Sequence, residues 1–441
     1  MTEQQLDREY LAAIQADPER SDREYRALVK YMQGSTAIHH GEYVRTCLMP
    51  KIFTESTFAR FAADIGVLYG IFRKVADAYF ADPSYRALFG FDARTEALIL
   101  RSHHAESLLP MARIDFFYNE ETGDYKFCEF NTDGTSAMNE DRELHNAQRL
   151  STVYRAFTAA HSTRTCELFD SWVDAFVGVW KRVRKTDRLP RVAIVDFMEC
   201  GTVNEFEIFR EHFEQKGLQA EVCDVRDLQY KGGRLLGKSG LPVDAIYRRA
   251  VTSDILDHYD QSSALLDAVR DDAVLLVGDF HTQLVHNKTI FRVLQHPVTL
   301  ALLTPEEQAY VRAHVPVTIS FAEADPEQVI REKDAWILKP LDSYGSRGVY
   351  AGVEYDAEGW RRAVESITHR EGYLLQEFYM PYVTENYGLA GDSFRKARYY
   401  NLTGIYVYDG TAQGVYSRVS LTPIISSQYS EKTLPTLIVG D

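Results

Sequence analysis

Long apolar runs are missing from this 441-residue chain. None approaches the roughly 18 residues that a membrane-spanning helix needs, and Ala273 to Gly278 is typical of the short ones present. Cysteine is sparse: Cys47, Cys128, Cys166, Cys200 and Cys223 are scattered without C-x-x-C spacing, which predicts reduced thiols in a cytoplasmic protein. The stretch Met1 to Gln15 is charged and has no apolar centre, so no secretory signal is expected. Basic residues are the minority, 49 against 64 acidic ones, for a formal charge of −15. That balance argues against a nucleic-acid partner and agrees with cationic small molecules. The histidine pairs at 39–40 and 103–104 have no spaced Cys or second His to complete a zinc site. Gly232, Gly233 and Gly237 sit in a polar loop that no helix follows, so they read as turn glycines, not a dinucleotide fingerprint.

What is present is an ordinary globular composition, 45% hydrophobic and 12% aromatic, with length enough for two or three domains. Residues 1–105 read as a helical region, in which Phe58, Phe61, Ile65, Leu68, Phe72, Val75 and Tyr79 form one apolar stripe. A hairpin and further helices are expected over 106–189, with Leu168, Trp172, Val173, Phe176 and Trp180 turned inward. The basic connector Lys181 to Arg191, carrying Pro190, marks a boundary. Beyond it the period changes, and over 190–285 apolar strands at 192–197, 220–222, 243–248 and 273–277 alternate with helices, notably 204–216. That pattern predicts a parallel α/β layer. In the remaining segment, 286–441, Thr304-Pro305-Glu306-Glu307 is a capped helix start. Strands are expected at 336–340, 347–353, 373–378, 397–408 and 413–420. The fold class is therefore α/β with a substantial antiparallel (α+β) share.

Chemistry concentrates first at 113–134. Arg113 and Asp115 fall on one face of a predicted strand, and Glu129 and Asn131 on one face of its hairpin partner. If the two faces coincide, two carboxylates and an amide supply the hard oxygen donors that suit Mg²⁺ held together with phosphates; otherwise the hairpin simply faces solvent. Lys339 ends a strand and precedes Ser343, Gly345, Ser346 and Gly348, a flap whose backbone N–H groups could cradle phosphates. The lysine precedes the glycines and no helix follows, so this is not a Walker A loop. Asn287-Lys288 supplies a second lysine, Gln376-Glu377 end a strand where an adenine or ribose edge could sit, and Arg418 lies in an alternating strand.

Taken in order, these stations resemble the glutathionylspermidine synthetase family, a branch of the ATP-grasp ligases, over about residues 105–430. The resemblance is carried by the R-x-D strand at 113–115, the E-x-N-x-D continuation at 129–133, the N-K pair at 287–288, the K-P and Gly-rich flap from 339, and the late arginine at 418. It implies an ATP-grasp fold with a parallel pre-grasp layer, and a ligase that uses ATP and Mg²⁺ to join a peptide-like or small acid to an amine through an acyl-phosphate. It implies Asp115, Glu129 and Asn131 as metal ligands, and Arg113 and Arg418 at the reacting groups. It further implies Lys288, Lys339, Ser343, Gly345, Ser346, Gly348, Gln376 and Glu377 around ATP. Asp133, Thr135, Ser136 and Glu140 would lie at the substrate loop, where Asp133 and Glu140 would hold the cationic nitrogens of a polyamine or diamine.

Some features depart from the family. Gly134 stands where the family has proline, the acidic stretch 199–207 does not match its amine site, and nothing before residue 106 resembles the amidase half of its bifunctional members. Two alternatives stay open: an ATP-grasp ligase joining amino acids in peptide or natural-product synthesis, and a non-catalytic nucleotide-binding protein. The expected partners are small-molecule acids and amines, with no nucleic acid and no membrane; oligomeric state is left open.

Overall fold

The computed structural model describes residues 1–39, 41–101, 107–341, 348–426 and 431–440. The alternation in Met111–Tyr118 makes a strand with two unlike faces. Ala112, Ile114, Phe116 and Tyr118 enter an aromatic core, and Arg113 and Asp115 point the other way. Its antiparallel partner, Tyr125–Asn131, sets Asn131 opposite Arg113 and Glu129 opposite Asp115, so the two polar faces do coincide. Beyond that pair the register slips: Phe116 pairs with Phe127, and Cys128 is the extra residue of a bulge. The bulge resets the alternation and lets both Phe127 and Phe130 join the core.

This hairpin is part of a larger antiparallel sheet. The order is Lys432–Leu434, Thr411–Ser420, Ser393–Tyr408, Met111–Tyr118, Tyr125–Asn131, with Val383–Ala390 paired to the first half of the long strand. Against one face lies the Glu55–Ala81 helix, whose predicted stripe of Phe61, Ile65, Leu68, Phe72, Val75 and Tyr79 is buried, with Phe58 at its margin. Phe61 meets Phe116 edge-on with centroids 5.1 Å apart, and Phe130 stacks on Phe291 at 4.7 Å. Against the other face lies the Asp170–Arg184 helix. Its Trp172, Val173, Phe176 and Trp180 are buried between Tyr406 and Tyr408 of the large sheet and Ile194, Tyr247 and Leu275 of a second sheet.

The second sheet is the expected parallel layer, ordered Leu275–Val277, Ala245–Arg248, Arg191–Asp196, Gln219–Asp224. Its central strand is continuously apolar because both faces are covered: Val192 and Ile194 pack on one side, Ala193 and Val195 on the other. A third, antiparallel sheet of Thr318–Ser320, Tyr373–Glu377, Trp336–Pro340 and Tyr350–Ala351 is built around Trp360, Leu338 and Leu375. The capping box at Thr304 forms as its sequence predicts, with Glu307 closing it.

Three local expectations need correction. The first hundred residues are not wholly helical: Lys51–Thr54 is a strand that runs parallel to Thr436–Val439, which also pairs with Thr163–Arg164. Four residues carry too little pattern to announce a strand whose partner lies at the far end of the chain. The helical stretch from 140 is split into Met138–Gln148, Thr152–Ala160 and Asp170–Arg184. Of the strand predicted at 347–353, whose first residue lies outside the described ones, residues 348–353 hold only Tyr350–Ala351; a 3₁₀ turn begins at Gly352, where the backbone presses on the Lys333 carbonyl with no room for a side chain.

The junction of the chain ends buries charge. Lys51 is ion-paired with Glu120 in the interior, and Asp7 of the Glu3–Gln15 helix lies beside them. Burial pushes the Asp7 carboxyl up to about 7 in spite of Lys51, and Glu120 pushes it the same way. The unfolded chain loses this proton near pH 4, so between about pH 4 and 7 the folded state holds a proton that the unfolded state has released. Stability therefore falls as pH rises through that window. Asp7→Asn should be the more stable protein in urea at pH 8, by at most about 4 kcal/mol, with the gap closing toward pH 4. A gap that does not change with pH would show that Asp7 is not the titrating group.

Candidate active site

The polar face of the hairpin is organised by one buried carboxylate. Asp115 is 1% exposed. Arg113 Nε and Nη2 donate to its two oxygens at 2.8 and 3.1 Å, Arg418 Nη2 donates at 2.7 Å, and the Asn131 amide nitrogen at 3.1 Å. Gly404 makes this possible. It stands directly across from Asp115 on the neighbouring strand, and a Cβ there would collide with Asp115 Oδ1 and press on the Arg113 side chain. Arg418, one strand further along the sheet, reaches Asp115 through that gap. Both guanidiniums also lie over the Tyr416 ring, Arg113 at 4.8 Å and Arg418 at 5.5 Å.

Beside this hub runs a cavity of about 920 Å³. Arg113, Glu129, Asn131, Lys288, Lys339, Gln376, Glu377 and Arg418 all line it, so stations spread over three hundred residues of sequence meet at one place. Lys288 pairs with Glu129 at 3.0 Å. Burial raises the Glu129 carboxyl, but Lys288, Lys339 and His286 outweigh it and leave the group ionised, at about 2. Lys339 Nζ donates to Gln376 Oε1 at 2.7 Å and to the Cys128 carbonyl at 3.2 Å, the carbonyl of the bulged residue. Gln376 in turn donates to Thr318 Oγ1 at 2.9 Å, so it aims Lys339. Glu377 lines the cavity wall and accepts from the Val317 N–H at 3.3 Å. Gly348 adopts a φ of +71° against Tyr373 and Pro340. Ser343, Gly345 and Ser346 lie outside the described residues.

The loop over 131–140 is clamped from the parallel sheet. Asp133 forms an ion pair with Arg248 at 2.7 Å and accepts from the N–H and hydroxyl of Thr252 at 2.8 and 2.6 Å. Its carboxylate is thereby committed to docking the loop. Arg249 is paired with Glu205 at 3.3 Å and donates to the Thr135 carbonyl; Thr135 Oγ1 donates to the Asn131 carbonyl at 2.7 Å. The Ser136 carbonyl accepts from Arg113 at 3.2 Å and from Tyr406 at 3.0 Å. Gly134 has a φ of +63°, and a Cβ on it would stand 2.6 Å from Val251 Cγ1. Proline, fixed near −65°, cannot take that backbone, which explains glycine where the resembled family has proline. Glu140 completes the loop on the cavity wall: Tyr416 OH donates to its Oε2 at 2.7 Å and Thr433 Oγ1 at 3.3 Å.

The donor chemistry fits a divalent cation at Glu129 and Asn131. Both face the cavity, Glu129 is ionised, and the Asn131 amide nitrogen turned toward Asp115 leaves the amide oxygen for another partner. Asp115 lies behind them with its oxygens taken by Arg113, Arg418 and Asn131. Reading the sequence missed Gly404, Tyr416, Glu431, Arg249 and Asp196, of which the last four also line the cavity. Tyr416 and Asp196 sit in strands already singled out. A lone glycine such as Gly404 carries no signal until its neighbours across the sheet are known.

No protein-family model matches the chain, and comparison with curated proteins finds no match. Solved structures do match. A glutathione synthetase-like effector from Globodera pallida superposes with a TM-score of 0.63 at 11% identity, over 96% of this chain and 98% of the other. A protein described as a γ-glutamylcysteine synthetase of Methylobacillus flagellatus aligns over 84% and 88% of the two chains with a TM-score of 0.42 and 10% identity. A D-cycloserine synthetase aligns over 55% and 89% with a TM-score of 0.28 and 11% identity. The first likeness runs almost end to end in both chains and shows the fold; the other two superpose too loosely to bear on it. Among the described residues no helix is long and apolar enough to cross a membrane.

Gly404→Ala should displace the Asp115 carboxylate and with it both arginines. The expected outcome is a chain that still folds, with its melting temperature lowered by an overpacking cost of about 1–3 kcal/mol. An unchanged melting temperature would show that Gly404 does not make room for the Asp115 contact.

Proposed function

We propose that the protein is an ATP-dependent carboxylate–amine ligase of the ATP-grasp type. The observation that carries the reading is the convergence on one cavity of two arginines, two lysines, an ionised glutamate and an amide oxygen. Phosphoryl transfer asks a protein for positioning and charge neutralisation, and this is the set of groups that supplies them. The sheet arrangement shared with a glutathione synthetase-like protein supports the same reading.

In the proposed reaction Arg113 seats the acid's carboxylate, which attacks the γ-phosphate in line. Lys288 and Lys339 neutralise the phosphates, and Arg418 holds the transferring phosphoryl group. The products are an acyl-phosphate and ADP; the amine then forms the C–N bond as the C–O bond to phosphate breaks. Glu129 and Asn131 would hold Mg²⁺, whose contribution is charge neutralisation of the phosphate oxygens. Asp115 keeps the two arginines charged and aimed, and Gln376 aims Lys339. Gln376 and Glu377 border the place proposed for the adenine. The peptide-like acid and the polyamine belong to this proposal as implied by the glutathionylspermidine synthetase resemblance. A second reading, in which the amine is an amino acid, is favoured by Asp133: held by Arg248 and Thr252, it is not available to a polyamine nitrogen.

The test is ADP release with Mg-ATP, pairing glutathione, short peptides or amino acids with spermidine, putrescine or glycine. Turnover is expected to require one acid and one amine together, and Glu129→Ala and Arg418→Ala are each expected to lower it by about 10²–10³. Stimulation by polyamines supports the first amine class, and stimulation by amino acids alone replaces it with the second. ADP release that needs no such pair, or that survives Glu129→Ala, overturns the ligase reading.

A further inference from the structure

Phosphoryl transfer makes no use of Glu140, yet the side chain is built into the same cavity. It sits in the first turn of Met138–Gln148, between the seat proposed for the acid at Arg113 and the substrate loop. The hydroxyls of Tyr416 and Thr433 both donate to Oε2. The cations around it are committed elsewhere: Arg113 to Asp115, Arg418 to Asp115 and Glu431, and Arg249 to Glu205. Facing it are Arg113 from Met111–Tyr118, Glu205 from Val203–Gln215, Tyr406 from Ser393–Tyr408, and Tyr416 and Arg418 from Thr411–Ser420. Glu431 faces it from the edge of Lys432–Leu434. The result is a carboxylate held in position by hydroxyls, near the charge of Arg113 but in no ion pair among the described residues.

We propose that Glu140 is the general base of the second half-reaction, accepting the proton of the ammonium that attacks the acyl-phosphate. The inference rests on the ligase reading and assigns its missing proton acceptor. The ammonium gives one proton to Glu140, and the freed lone pair forms the C–N bond. The C–O bond to phosphate breaks with its electron pair leaving on phosphate, which takes the second nitrogen-bound proton; Glu140 then releases its proton to solvent. The environment suits the task. Burial, helped by Glu431 and Glu205, pushes the Glu140 carboxyl up to about 7 against the hydrogen bond from Tyr416. A base so placed is about half ionised at neutral pH and a far better proton acceptor than an exposed carboxylate.

Hydroxylamine separates this role from the first half-reaction, because it is neutral near pH 7 and traps an acyl-phosphate without a base. The assay uses the full chain with Mg-ATP and glutathione, γ-glutamylcysteine or L-glutamate as the acid. Hydroxamate is measured with hydroxylamine, and amide with spermidine or glycine. Glu140→Gln is expected to keep hydroxamate formation within about threefold and to lose amide formation by about 10²–10⁴. Tyr416→Phe removes a donor to the carboxylate and should move the acid limb of the wild-type amide pH profile upward. Amide formation by Glu140→Gln at the wild-type rate overturns the proposal, and so does an equal loss of hydroxamate and amide, which would make Glu140 part of the site's framework. Absence of hydroxamate from the wild type with every acid overturns the ligase reading itself, and this inference with it.

Discussion

The arrangement depends on one carboxylate, Asp115, buried against two guanidiniums. An ionised group in the interior is costly unless it is matched by charge and hydrogen bonds. Here Arg113, Arg418 and Asn131 supply four donors between them, so the cost is met and three strands are tied together. The converse also holds. Without Asp115, Arg113 would lose its carboxylate partner and Arg418 would keep only Glu431, 3.5 Å away, beside the same tyrosine ring. The backbone is shaped to this contact: Gly404 leaves the lane through which Arg418 reaches, and the bulge at Cys128 turns a carbonyl toward Lys339.

Around that hub, charge is arranged in pairs. Lys288, with Lys339 and His286, keeps Glu129 ionised against the opposing effect of burial. The loop from Asn131 to Glu140 is held by Arg248 and Arg249, which end a strand of the parallel sheet. The position of this loop is therefore decided by a different layer of the fold from the hairpin it continues. Ligand sites at the carboxyl ends of parallel strands follow the same logic. Glu140 stands in no ion pair among the described residues, and its raised proton affinity follows from burial beside the acids Glu431 and Glu205.

Much of this was legible in the sequence. Period-two alternation announced the hairpin and which residues share its polar face. Continuous apolar runs announced a parallel layer, and a three-to-four repeat announced the Glu55–Ala81 stripe. These signals are local, because side-chain direction is set by backbone geometry within a few residues. The Lys51–Thr54 strand and the breaks within 138–184 were not legible, since short segments carry little pattern and their state is decided by what packs on them.

What the sequence by itself determined is the set of elements and the polar stations they carry, from Arg113 to Arg418. The tertiary structure alone decided which stations meet and which are already spent. Asp133 reads as a free acid in the chain and proves to be paired with Arg248; Asp115 reads as an open ligand and proves to be the buried partner of two arginines. Gly404 carries no signal in the chain and Gly134 stands out there only as a departure from the resembled family; they prove to be where space and a left-handed backbone are required. The reason is physical: ionisation, pairing and steric room depend on neighbours brought in from distant parts of the chain, and no local pattern records them.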